Sequence, residues 1–184
     1  MISTSTPSVE QLTKAKSYLA ETRDALLKSA DALTEEQWNF KPSPDQWSIG
    51  ENFEHIVILE SRVHHLVAQI GGAPPPPEDW DEGKTDELIL IEVPNRATKF
   101  KSPEAAIPKE GWAKAEAVKN FAEARERTIQ LLDEPDLRGH VIPHPVLGFW
   151  DGYQWIVAVG AHGLRHLNQI AEVKACANFP RARA

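Results

Sequence analysis

Cysteine is almost missing from this chain. Its 184 residues hold one, Cys176, which excludes an internal disulfide framework and a thiolate cage for zinc. Basic residues are in deficit. Lys and Arg total 20 against 27 Asp and Glu, a formal charge of −7 and a pI near 5.5. That balance argues against a nucleic-acid face and against docking on an anionic membrane. Long apolar runs are missing too. The least charged stretch, residues 139–164, ionises only at Asp151 and is broken by Pro143 and Pro145, so it does not suit a bilayer span. The opening Met1-Ile2-Ser3-Thr4-Ser5-Thr6-Pro7-Ser8 lacks a basic n-region and an apolar h-region, and no secretory signal is expected. No phosphate-cradling glycine loop, G-x-S-x-G or H-E-x-x-H occurs. The expected setting is soluble and cytoplasmic.

What is present is histidine: seven, beside that single cysteine. Any metal chemistry must then rest on imidazole. Length, 41% hydrophobic and 26% charged residues suit one globular domain over residues 1–184 with a core of its own.

The fourteen prolines punctuate the chain and leave four proline-free stretches, about 8–33, 48–70, 110–134 and 151–178. Proline inside a helix costs roughly 3 kcal/mol, so this segregation predicts four helices. Ser8-Val9-Glu10-Gln11 and Ser48-Ile49-Gly50-Glu51 read as capping boxes. In the second stretch Ile49, Phe53, Ile56, Leu59, Val63, Leu66 and Ile70 share a side, and Gly71-Gly72 ends it. In the third, Val118, Phe121, Ala124, Thr128 and Leu131 point inward, and Pro135 stops it. In the fourth, Trp155, Val159, His162, His166, Ile170 and Val173 recur at helical spacing. The expected fold is all-α, a four-helix bundle with a long crossover between helices two and three, residues 71–109. Prolines 74–77 make a rigid polyproline II spacer there. Residues 88–93, Leu-Ile-Leu-Ile-Glu-Val, read as an extended segment or one edge strand closed by Pro94. No alternation for a sheet is visible.

The helical arithmetic divides the histidines. His162 and His166 lie within roughly 40° of each other, one turn apart, where two imidazoles can chelate one cation. They share a stripe with Val159, Ile170 and Val173, and core-facing imidazoles need hydrogen bonds or a metal. A third ligand must come from another helix. His55, beside the Phe53/Ile56/Leu59 face, is the best candidate. His64 is about half a turn away from His55, and His65 lies at a boundary. His140 and His144 cannot form a helical pair between Pro143 and Pro145. They read as loop residues, with His144 a candidate for the mouth of a site.

These segments also carry a family resemblance. Trp47-Ser48-Ile49-Gly50-Glu51 with His55 four residues on, and His144-Pro145-Val146-Leu147-Gly148 followed by Trp155 and by the run from Ala161-His162-Gly163-Leu164-Arg165-His166 to Ile170, resemble the DinB-like (YfiT-related) superfamily. Leu33-Thr34-Glu35-Glu36-Gln37-Trp38 and Phe100-Lys101-Ser102-Pro103-Glu104 resemble it too. The resemblance covers most of the chain and implies a four-helix bundle, often a homodimer. It implies a divalent metal on His55, His162 and His166, the trio that spacing favours. Relatives include thiol-dependent transferases and isomerases that use a low-molecular-weight thiol.

Three imidazoles leave coordination positions open, the catalytic rather than the closed structural pattern. Such an ion can make hydroxide from bound water or deprotonate a substrate thiol, giving a hydrolase or a thiol transferase acting on a small molecule. Zinc and nickel suit imidazole best; manganese and iron stay open. Glu51, one turn before His55, can orient it or serve as a catalytic base, and its capping box alone also explains it. Arg165 is expected to pair with an acid on a neighbouring helix. Asn168 and Gln169 are read as support for the histidines or as interhelical hydrogen bonds, and Trp47, Trp150, Tyr153 and Trp155 as packing or pocket wall. The competing reading is a non-catalytic stress protein that binds a metal or ligand. A ferritin-like di-metal carboxylate site is disfavoured, because Val159 and Gly163 stand where it needs glutamates.

Overall fold

The computed structural model describes residues 6–98 and 102–181. Residues 1–5 of the opening segment, and Phe100 and Lys101 of one motif above, lie outside the described residues.

The described chain is mostly helical, with four long helices: α1 (Val9–Ala30), α3 (Ile49–Ala68), α5 (Lys114–Gln130) and α6 (Gly152–Lys174). Between them lie the short α2 (Glu35–Asn39), then α4 (Glu82–Glu92), and a hairpin of β1 (Val141–His144) and β2 (Gly148–Asp151). The starts follow from sequence chemistry. Ser8, Thr34, Ser48 and Asp151 each accept a backbone N–H three residues on, and Gln11, Gln37, Glu51 and Gln154 bond back to the cap. Each capping box satisfies two N–H groups that the helix leaves without partners.

The long helices pack on one another, α3 against both α5 and α6 and α1 against the same two. Their apolar residues fall into two clusters. One contains Leu19, Val63, Leu132 and Ile156. The other contains Leu26, Phe53, Phe121 and Ile170. Each long helix carries a polar residue along its length between those two clusters: Thr22 on α1, Glu60 on α3, Arg125 on α5, and buried His166 with half-buried His162 on α6. A polar layer is thus sandwiched between two apolar ones.

At its centre Arg125 and Glu60 are 0% and 1% exposed. Arg125 Nη2 donates to Glu60 Oε1 at 2.7 Å, and its Nη1 donates to Leu19 O and Thr22 Oγ1. Thr128 donates to Glu60 Oε2 at 2.8 Å, and His64 Nε2 lies 2.8 Å from the same hydroxyl. The guanidinium cannot discharge itself by losing a proton, so its burial depends on this full set of acceptors. Sequence periodicity placed Val118, Phe121, Ala124, Thr128 and Leu131 inward; it left out Arg125 and Ala117, both buried.

Two sequence expectations are corrected. Residues 88–93 are not extended: 88–92 lie in α4, and Val93 caps it. Asp81 caps its start, and the helix turns Asp86 toward Arg138 (2.8 Å) and Gln154 (2.8 Å). Arg138 also donates to Asp151 at 2.9 Å. These buried polar contacts and the burial of Ile89 outweigh the strand propensity of the Leu-Ile-Leu-Ile run. The crossover is therefore partly helical. Second, a small sheet does exist. Val141 pairs with Asp151 and His144 with Gly148 in an antiparallel hairpin, and Gly148 takes φ +84° at its turn. The prolines do forbid a helix there, as expected. Among the described residues no helix is long and apolar enough to cross a membrane.

Two outcomes follow from the polar layer. Glu60→Ala strands a buried guanidinium and should lower unfolding free energy by about 3–5 kcal/mol in urea titrations. A loss below about 1 kcal/mol would show that Arg125 does not depend on Glu60. His64 is pushed down to about 4, mainly by burial and then by the Arg127 charge. It stays neutral in the fold where an unfolded histidine protonates near 6.5. Its contribution is therefore complete above about pH 6.5 and drains away as pH falls toward 4. His64→Leu should lose less stability than the parent between pH 7.5 and 5; an equal loss would refute this.

Candidate metal centre

The Ser48–Glu51 capping box fixes the start of α3, and the next turn carries Asn52 and His55. Asn52 is fully buried. Its amide Nδ2 donates to Ser48 O at 2.8 Å, which turns Oδ1 outward to His166 Nδ1 at 2.8 Å. On the other side, His55 Nδ1 lies 2.7 Å from Ala106 O, in a single 3-10 turn of the crossover (Glu104–Ala106). Amide and backbone oxygens only accept, so both Nδ1 atoms carry their protons. Both Nε2 atoms are then bare.

Those bare atoms meet His162. Its Nε2 is 3.2 Å from that of His55 and 3.0 Å from that of His166. One ligand atom from each ring lies within 4.8 Å of the other two. Three neutral imidazoles so arranged have at most one proton to share among the facing nitrogens. His162 Nε2 can donate to one neighbour at most, and the lone pair of the other is then left without a donor. A cation at the centre satisfies all three, and the two fixed Nδ1–H bonds are the support that metal-ligating histidines use.

Electrostatics favour the neutral, ligating form. Burial pulls His55 below its usual range against the upward pull of the Ala106 carbonyl. Burial also holds His162 and His166 well below theirs, helped by neighbouring imidazoles and by the charges of Arg165 and Arg125 or Arg96. Gly163 lets the interior charge come so near: a Cβ there would stand 3.1 Å from Arg125 Nη2.

Trp47 walls the site, 4.6 Å from His55 and nearly parallel to His166 at 6.1 Å between ring centroids. Beyond it Pro42, Arg96, Gln169 and Cys176 help line a cleft of about 50 Å³. His162 is the partly exposed member of the three.

The structure therefore brings His55, His162 and His166 together and leaves the other four histidines elsewhere. His64 faces Thr128, His65 bonds Ser61 O and His140 bonds Ala73 O. His144 is no mouth residue: it is a strand end, stacked on Trp150 at 4.0 Å. Glu51 caps α3 through Ser48 N–H and pairs with Lys41 at 2.7 Å. Arg165 reaches main-chain carbonyls rather than only an acid: it donates to Asn95 O and Thr98 O in the crossover. Gln169 accepts from Arg96, an interhelix-to-crossover bond. Sequence reasoning missed Asn52 and the Ala106 carbonyl. Asn52 was findable as a polar residue one turn from both Ser48 and His55; a backbone oxygen leaves no sequence signal.

Comparison with known proteins agrees with the motifs. A family model for the DinB superfamily matches residues 18–170, which include all three histidines. The uncharacterized protein YuaE of Bacillus subtilis (strain 168) is 29% identical over 146 residues, 77% of this chain and 86% of that protein. No solved structure matches. The chain belongs to the DinB superfamily.

Proposed function

We propose that this chain is a metal-dependent enzyme built as a single-domain four-helix bundle with a long crossover, holding one divalent ion on His55, His162 and His166. The observation that carries the reading is the meeting of three Nε2 atoms while the outer two rings have both Nδ1 protons committed to Asn52 and Ala106. A site without a cation would leave that arrangement poorly satisfied. Zinc or nickel is the expected ion from the all-imidazole donor set, with manganese or iron next.

Such an ion would supply Lewis acidity to a water or thiol at an open position. The chain's own residues do the rest. His55 and His166 are held in one tautomer and one orientation, Trp47 and the crossover exclude water on two sides, and His162 stands at the open side. The reaction type is a thiol-dependent transfer or a hydrolysis of a small molecule, in a cytoplasmic homodimer. The thiol arrives with the substrate. Glu51 as base belongs to this proposal only if its carboxylate leaves Ser48 and Lys41; in place, it supports the site by capping the helix that carries Asn52 and His55.

A second reading has its own observation. The cleft beyond Trp47 is small, about 50 Å³, which suits a metal-binding protein with no turnover. Metal-loaded protein that is stabilised by the ion yet turns over no thiol, ester or amide would favour it.

Loading with zinc or nickel should leave one ion per chain by elemental analysis, raise the melting temperature, and do neither in His162→Ala. Protein that takes up no ion after loading would end the proposal. Asn52→Leu keeps all three ligands but frees the His166 ring. It should weaken zinc binding by about 10–100-fold with helix content unchanged; parental affinity would mean that Asn52 does not orient His166.

A further inference from the structure

The crossover touches α3 at two adjacent residues. Ala106 O receives the His55 Nδ1 proton. Glu54, the residue before His55, is 1% exposed, and its carboxylate accepts three consecutive backbone N–H groups, from Lys109, from Glu110 at 2.8 Å and from Gly111 at 3.0 Å. Successive main-chain donors around one anion form a nest, an anion-binding concavity of the backbone. The chain turns away at its last donor, where Gly111 takes φ +64°, and a Cβ there would meet nothing within 4 Å. The demand at that position is conformational rather than spatial.

Glu54 therefore has little to do with filling the core. A buried carboxylate is expensive unless its oxygens are met by donors, and here three backbone donors come from the segment leading into α5. Two residues, Ile107 and Pro108, separate Ala106 from the first of them. So short a link spans about 10 Å at most, and gripping the nest places the Ala106 carbonyl.

We propose that Glu54 is a positioning residue of the three-histidine site: by holding the nest at residues 109–111 it sets Ala106 O against His55 Nδ1, which keeps His55 Nε2 bare and aimed at His162. The converse follows by linkage. An ion on His55 Nε2 favours the Nδ1–H tautomer, and so favours the docked crossover. The metal half of this rests on the proposed function above; the tautomer half does not.

The test is Glu54→Gln, which keeps the shape but turns an amide NH₂ on one of the nest donors. In the metal-free protein, long-range ¹⁵N–¹H spectra should show His55 as a single Nδ1–H tautomer in the parent and as a mixture in the variant. Zinc affinity, read by competition with a chromophoric chelator, should fall about tenfold or more. Zinc should slow amide exchange at residues 106–111 in the parent. A folded Glu54→Gln with the parental tautomer and parental zinc affinity would overturn the proposal. If the variant does not fold, Glu54→Asp decides by the same two readouts, since it keeps the charge but draws the carboxylate back from the nest by one methylene. If the parent takes no zinc, the metal reading fails while the His55 tautomer still decides the role of Glu54.

Discussion

A buried guanidinium organises this molecule. Arg125 can neither lose its proton nor reach water, so every element around it must present oxygen at the right place. Glu60 of α3 gives two carboxylate oxygens, and Leu19 and Thr22 of α1 give a carbonyl and a hydroxyl. Those requirements fix how far α1, α3 and α5 can slide along one another. α6 is included through Gly163, which has no side chain to hold the charge away. His162 immediately precedes Gly163 on α6, and His55 lies on α3 some one and a half turns from Glu60. The register demanded by the ion pair is thus the register at which the imidazoles meet.

The same layer explains why polar groups survive in the middle of the fold. Apolar clusters above and below it exclude water, which strengthens each hydrogen bond and makes each missing one costly. Neutral histidine is the form that tolerates such a place. The crossover completes the enclosure on the outer side of α3. Along α3, Asn52, Glu54, His55, Glu60 and His64 are all buried, a polar content that few helices carry inside.

Much of this was legible in the sequence, and the limits have physical causes. The long helices announced themselves through prolines, and two of them through Ser8 and Ser48 at their starts, because caps and breakers act locally. The three histidines were found because i, i+4 spacing is a local geometric fact and His55 shared a face with Phe53 and Ile56. Helix α4 was hidden because its Leu-Ile-Leu-Ile run has strand character, and what holds it helical, Arg138 against Asp86, is 52 residues away. Arg125 was hidden because a search for apolar periodicity skips charges. The nest under Glu54 and the carbonyl of Ala106 are main-chain features, present in any sequence and marked in none.

The spacing of these pieces along the chain has a consequence for biosynthesis. His55 and His162 are 107 residues apart, and Asn52 and His166 are 114. Contacts of such separation form late, after closure of long loops. On the ribosome, α1, α3 and the crossover are exposed before the helix that completes the site has been made. An immature chain therefore presents His55 without His162 and His166, and the three-imidazole cluster exists only once α6 has been made and docked.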